Sequence, residues 1–240
     1  MNNTIPAVDK TVRFLLALAE RPHTQSELSE KLGTAMSTAY RILTTLQDHD
    51  WVRKDGAVYS LSRGLVPLVG SCDSEMELLE RAKKQSDMIS ERYGIACKLS
   101  IRQGDQQKTF HRVEPPGPVS LTGIAGSLFP IFEGSVGAAL LADESEEVIR
   151  ELIKSSPVKL PETANPELVF DRIREIRARG TVLNSSKNRW GIVAMSISLR
   201  DRRGRVSAAL TLIGVRKDFS GKRRADWDMV LKQAAREIEG

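Results

Sequence analysis

The stretch from Thr24 to Leu61, TQSELSEKLGTAMSTAYRILTTLQDHDWVRKDGAVYSL, leaves a chain little choice of local fold. Thr24 with Glu27 three residues on is a capping box, so a helix starts here. Leu28, Lys31 and Leu32 carry that short helix, and Gly33 closes it where a positive φ is needed. At about 100° per residue, Ala39, Ile42, Leu43 and Leu46 fall on one apolar stripe of the next helix. WVRK and AVYSL alternate apolar with polar residues around Asp55-Gly56, which predicts a type I′ hairpin. Upstream, Val8, Val12, Leu15, Leu16 and Ala19 read as the buried stripe of a first helix, ended by Pro22. Helix, three- to four-residue turn, helix and hairpin together make a winged helix-turn-helix.

The second helix of that motif has an unusual outer arc, with Ser37, Thr38, Arg41, Thr44 and Thr45, flanked by Tyr40. A face built only for solubility is more often dressed in Glu and Lys, the better helix formers. Short hydroxyls around an Arg suit close approach to phosphates and base edges. Arg53 and Lys54 of the wing would lie near phosphates, and Asp48 and Asp50 would mark where the DNA face stops. Net charge adds nothing to this reading. The chain carries +5 overall, but residues 1–70 hold 8 Lys and Arg against 7 Asp and Glu, whereas residues 161–240 hold 17 against 10. Pattern alone carries the DNA expectation, and a winged helix also serves elsewhere as a protein-interaction module.

A length of 240 residues accommodates two domains, each with its own core. No run approaches the roughly 18 apolar residues of a membrane span, and MNNTIPAVDK shows no signal-peptide h-region. A cytoplasmic protein is expected, with Cys72 and Cys97 as free thiols. His23, His49 and His111 have no metal-ligand spacing and read as surface or partly packed residues; neither a metal nor another cofactor is expected. There is no nucleophile elbow, P-loop or GxGxxG in context. Cys97 with His111 is the sole nucleophile–base pairing on offer, and no third orienting group accompanies it. The second half therefore reads as a binding domain, not an enzyme. The alternative is an enzyme or ligand sensor whose winged helix only assembles protein partners.

That second half begins with an amphipathic linker helix, Met76, Leu79, Ala82, Met88 and Ile89 lying near one side and Gly94 stopping it. Two short strands follow around RQGDQQ, then a Pro/Gly loop and three helical segments. The strands RWGIVAMSISLR and GRVSAALTLIGV, joined at DRRG, and a final helix complete the chain. Hairpin-paired strands with helices covering one face predict an antiparallel sheet of the α/β (α+β) class. Alternation puts Ile192, Ala194 and Ser196 on one face, Val193, Met195 and Ile197 on the other, and Thr211 with Ile213 on one face of the partner strand. Such mixed small and apolar faces line a cavity or fill a plain core; the pattern leaves both open. In FEGSVG, Gly134, Ser135 and Gly137 place backbone N–H groups near a helix start, where a carboxylate is favoured.

The helix-one lead IPAVDKTVRFLLALAE, the core S-T-x-Y-R-x-L-x-T-L at residues 37–46, the Trp51-Val52 pair and YSLSRGL resemble the IclR family of bacterial transcription regulators. The resemblance covers nearly the whole chain and is most specific in the first 70 residues. It implies a DNA-binding domain at 1–71, a linker helix at 72–94 and a GAF-like effector domain at 95–240. It further implies a transcription regulator, repressor or activator, that binds double-stranded operator DNA as a homodimer or dimer of dimers, under a small organic effector. Carried over position by position, the effector residues are Ser135, Val136, Gly137, Asn184, Ile192, Ala194, Thr211 and Ile213, with Leu121 on the apolar side. The chain departs from the family pattern with Phe132 where His is common, Ala138 where Lys is common and Asn184 where an acid is frequent. A less charged cavity is therefore expected, taking a carboxylate first and a small aromatic or neutral ligand, favoured by Phe132, second.

Overall fold

The computed structural model describes residues 4–70, 73–116, 124–184 and 192–240, so Leu121 and Cys72 lie outside the described residues. The chain divides into two compact units at residues 73 and 74. The smaller contains α1 (Pro6–Glu20), β1 (His23–Thr24), α2 (Gln25–Lys31), α3 (Met36–Asp48), β2 (Val52–Asp55), β3 (Val58–Leu61) and α4 (Val66–Gly70). Its three strands are antiparallel in the order β1-β3-β2. The capping box forms: Thr24 Oγ1 accepts from the Glu27 N–H at 3.3 Å, and the Thr24 N–H donates to Glu27 Oε2 at 2.7 Å. Gly33 has φ 60°, as its place after α2 requires. Leu28, Ala39, Leu43 and Leu46 pack with Phe14, Leu18, Val52 and Tyr59 into one core, Ile42 sitting at its margin.

Three expectations about this unit are corrected. The buried side of α1 is Phe14, Ala17 and Leu18, while Val8, Val12 and Leu16 stay 56%, 47% and 60% exposed. The helix carries two apolar stripes, and intramolecular packing claims the one that holds the larger aromatic. The wing turn is centred one residue later than expected. Asp55 pairs with Val58, leaving Gly56-Ala57 as the loop, with positive φ only at Gly56, which fits a II′ turn instead of I′. His23 is buried on β1, and burial pushes its imidazole pKa down.

The larger unit contains α5 (Asp73–Tyr93), β4 (Ala96–Gln103), β5 (Gln106–Val113), β6 (Leu128–Pro130), α6 (Gly134–Leu140), α7 (Glu146–Lys154), α8 (Pro161–Ala164), α9 (Glu167–Arg179), β7 (Thr181–Asn184), β8 (Ile192–Arg200), β9 (Val206–Val215) and α10 (Lys222–Glu239). All six strands are antiparallel, in the order β6-β5-β4-β9-β8-β7. Helices cover both faces, not one. Leu78, Leu79, Ala82 and Ile89 of α5 and Leu231, Ala234 and Ile238 of α10 pack on the face carrying Leu99, Met195, Leu210 and Leu212. On the opposite face α6, α7 and α9 pack around Val182 and Ala209. The central strands β8 and β9 accordingly read as nearly continuous small and apolar runs, as sheets buried on both sides do.

The helix expected as a separate linker thus contributes to the larger core. Its buried side is Leu78, Leu79, Ala82, Ser86, Ile89 and Ser90, while Met76 and Met88 are exposed. Among the described residues no helix is long and apolar enough to cross a membrane.

Candidate functional site

Two surfaces collect the chemistry anticipated from sequence. On α3, Ser37, Tyr40, Arg41 and Thr45 are exposed and Thr38 and Thr44 half-buried, opposite the buried Ala39, Leu43 and Leu46. The Thr45 hydroxyl donates to the Arg41 carbonyl at 2.8 Å, which leaves its lone pairs outward. The wing splits its two cations. Cross-strand register pairs Arg53 with Ser60 and Lys54 with Tyr59, so they project from opposite faces of the hairpin. Arg53 Nε donates to Ser60 Oγ at 3.1 Å, and Lys54 Nζ stands 5.3 Å from the centroid of the Tyr59 ring. Both remain exposed.

The second surface is the α6 side of the large sheet. Register sets its rows: Lys98, Thr211 and Ser196 lie side by side across β4, β9 and β8, and the next row is Ala96, Ile213 and Ala194, ending at Asn184 on β7. Above the polar row sits α6. Ser196 Oγ donates to Ser135 Oγ at 2.9 Å and lies 2.8 Å from Thr211 Oγ1, a chain of three buried hydroxyls. Ser198 Oγ donates to the Ala139 carbonyl at 2.8 Å and fixes the helix on the sheet. Gly134 has φ 66°, and a Cβ there would stand 3.2 Å from Asn184 Nδ2, so the EGSVG turn and Asn184 meet. Ile192, Ala194 and Asn184 are half-buried; Ile213 and Thr211 are buried. Phe132 and Val136 pack instead into the core beneath α6, and Gly137 is the point where that helix touches residues 131 and 132.

Two features of this face were not foreseen. The first amide of helix α6 is already engaged: Glu162 Oε1 lies 3.4 Å from the Gly134 N–H and 2.7 Å from Arg172 Nη1, both side chains buried. Nor is the face poor in charge: Lys98 is buried on it, and Glu133 precedes α6. Burial, with Glu162 nearby, raises the Glu133 carboxyl above its usual range, and burial lowers the Lys98 ammonium. A single Lys within the strand ACKLSI gave no local signal of this; its even-numbered place, shared with Ser100, was the one available clue.

Cys97 cannot act as a nucleophile with His111. It is fully buried, its thiol is pushed up to about 12 by burial and by Asp87, and it points at the Ile95 carbonyl, 3.8 Å away. His111 Nε2 pairs with Asp87 at 2.8 Å.

Comparison with known proteins agrees over the whole length. Residues 71–240 match the family model for the bacterial transcriptional regulator IclR C-terminal domain, and residues 4–64 match the HVO_A0261 N-terminal domain. The chain is 23% identical to the HTH-type transcriptional regulator KdgR of Escherichia coli (strain K12), over 98% of this chain and 92% of that one. It is 28% identical to the HTH-type transcriptional regulator Rv1719 of Mycobacterium tuberculosis, over 88% and 82% of the two chains. Among solved structures, an IclR transcriptional regulator from Alicyclobacillus acidocaldarius aligns with a TM-score of 0.65 at 23% identity, covering 98% of each chain. An IclR homolog from Microbacterium hydrocarbonoxydans, complexed with 4-hydroxybenzoate, aligns with a TM-score of 0.70 at 19% identity over 97% of each. With one family model running from residue 71 to residue 240 and full-length relatives that are HTH-type regulators, the chain belongs to the IclR family of bacterial transcriptional regulators.

Proposed function

We propose that α3 enters the major groove of operator DNA and that a small organic effector seated on the α6 side of the large sheet modulates this binding. The observation that carries the DNA reading is the exposed arc of Ser37, Thr38, Tyr40, Arg41, Thr44 and Thr45, set against a buried stripe that fixes its direction. Arg53 and Lys54 lie on the adjoining wing, where phosphates are within reach of long side chains. The effector reading draws on the half-buried Ile192, Ala194 and Asn184 beside the Ser135–Ser196–Thr211 hydroxyls. The Microbacterium homolog is complexed with 4-hydroxybenzoate, a small aromatic acid. The effector acts by binding one of two arrangements of the protein more tightly, in the cytoplasm where the operator lies.

Arg41→Ala should weaken binding by about 1–3 kcal/mol, whether its contact is guanine or phosphate. Lys54→Ala should weaken all sequences about equally and reduce the salt slope by about one. Gel-shift titrations at several salt concentrations, on a duplex selected from a random pool by the wild-type protein, measure both. A folded Arg41→Ala protein that binds like wild type would remove α3 from the groove.

The uncovered stripe Val8, Val12 and Leu16 on α1 gives the small unit a self-complementary apolar surface, and two-fold operators call for a two-fold protein. The chain assembles as a homodimer through it, alone or within a dimer of dimers. Sedimentation at micromolar concentration should show one subunit pairing fewer for Leu16→Asp than for wild type. Identical sedimentation of the two proteins refutes the stripe as an interface.

A further inference from the structure

Among the described residues, three polar groups on the α6 side of the sheet have no partner. Lys98 is 9% exposed and, among the described residues, its ammonium has neither a hydrogen bond nor an ion pair; the Phe129 ring centroid lies 5.2 Å from Nζ, and Glu133 acts on it through its field. Ser100 and Thr109, each 1% exposed, hold hydroxyls without a hydrogen-bond partner among the described residues. Register puts all three together. Ser100 follows Lys98 on the same side of β4 and pairs with Thr109 on β5. Buried polar groups are almost always satisfied, so three orphans on one face mark a place where something else supplies the partners.

Their chemistry specifies what that partner is. An ammonium only donates, and both hydroxyls are free to donate, so the missing group accepts several hydrogen bonds at once. It also carries charge, because a buried cation without a counter-ion is costly. Glu133 makes no ion pair with Lys98 among the described residues; it acts on the ammonium only through its field. At the start of α6 the Gly134 N–H already faces the Glu162 carboxylate.

We propose that Lys98, with the hydroxyls of Ser100 and Thr109, reads a carboxylate on the effector, so that this regulator distinguishes an organic acid from its neutral counterpart. The proposal rests on the reading of this sheet face as the effector site, and the experiment separates the two. Full-length wild type, Lys98→Met, Thr109→Val and Ala194→Trp are screened by thermal shift and calorimetry against acids and their primary amides. The pairs are benzoate and benzamide, 4-hydroxybenzoate and 4-hydroxybenzamide, and hexanoate and hexanamide. Wild type should bind its acid about tenfold or more tightly than the matching amide, as a charge-assisted hydrogen bond gives. Lys98→Met should lose that preference and, without ligand, melt above wild type, because a buried unpaired charge has been removed. Thr109→Val should keep part of the preference. Ala194→Trp should bind neither acid nor amide while still binding DNA. Wild type that stabilises with no acid, or that treats acid and amide alike, overturns the role of Lys98, as does a Lys98→Met protein with undiminished preference. Amides that bind wild type but not Ala194→Trp would leave the site standing with its charge reading refuted. Ligands that bind Ala194→Trp as they bind wild type would refute the site itself.

Discussion

Replacing Arg172 by Met should destabilise the larger unit by about 3–5 kcal/mol, the usual result of removing one partner of a buried ion pair. Glu162 would then be left with its carboxylate buried, facing only the Gly134 N–H at 3.4 Å among the described residues. Glu133 stands near enough for Glu162 to raise its carboxyl. The pair is 9% and 7% exposed at its side chains, so solvent screening offers little relief. The double substitution Glu162→Leu with Arg172→Met should recover most of the loss, because two apolar groups of similar volume need no partners. Urea titration followed by tryptophan emission in a Trp51→Phe background, which leaves tryptophans only in the larger unit, reads its transition apart from that of the smaller one. A single variant that costs under about 1 kcal/mol would mean that the pair is solvated in solution.

The second large effect is expected at Gly137. An added Cβ would stand 2.3 Å from the Ile131 carbonyl oxygen and 2.6 Å from the Phe132 carbonyl carbon. Both are backbone atoms, so no rotamer change relieves the clash, and α6 must lift from the chain that precedes it. Gly137→Ala should therefore cost about 3 kcal/mol, at the upper end of overpacking. It should also disturb the contact of Ser135 with Ser196, since both glycine and serine lie on the same helix. Thermal denaturation compared with Ala138→Gly, a nearby change that adds no atoms, gives the measure. An unchanged melting temperature for Gly137→Ala would show that α6 does not approach residues 131 and 132 so closely.

What sequence disclosed and what it concealed follows from the range of the interactions. Thr24 and Glu27 satisfy each other within a single turn, and Gly33 and Gly94 mark helix ends by conformation alone, so all four were legible. The α3 stripe was legible because its neighbours on the helix are three and four residues apart. Helix α1 defeated the same method, since it has two apolar stripes and only the fold decides that Phe14, Ala17 and Leu18 go inward. β7 is four residues long, too short to show a period. At the candidate site, alternation picked out Ala194, Thr211 and Ile213. Lys98, Glu133 and the Glu162–Arg172 pair escaped because strand order and helix packing, not sequence spacing, bring them there.

The two-sided sheet makes each central strand a short transmission. Thr211 faces α6 while its immediate neighbours Leu210 and Leu212 sit in the core with α5; Ala194 is flanked in the same way by Val193 and Met195. Backbone displaced by a molecule on one side carries these adjoining residues with it. Where α5 rests on that side, Ala82, Ser86 and Ser90 recur every four residues and are buried, so little slack absorbs the motion. A ligand seated on one surface, as proposed, would therefore press on the packing of the other within a single peptide unit, with no intervening relay of side chains.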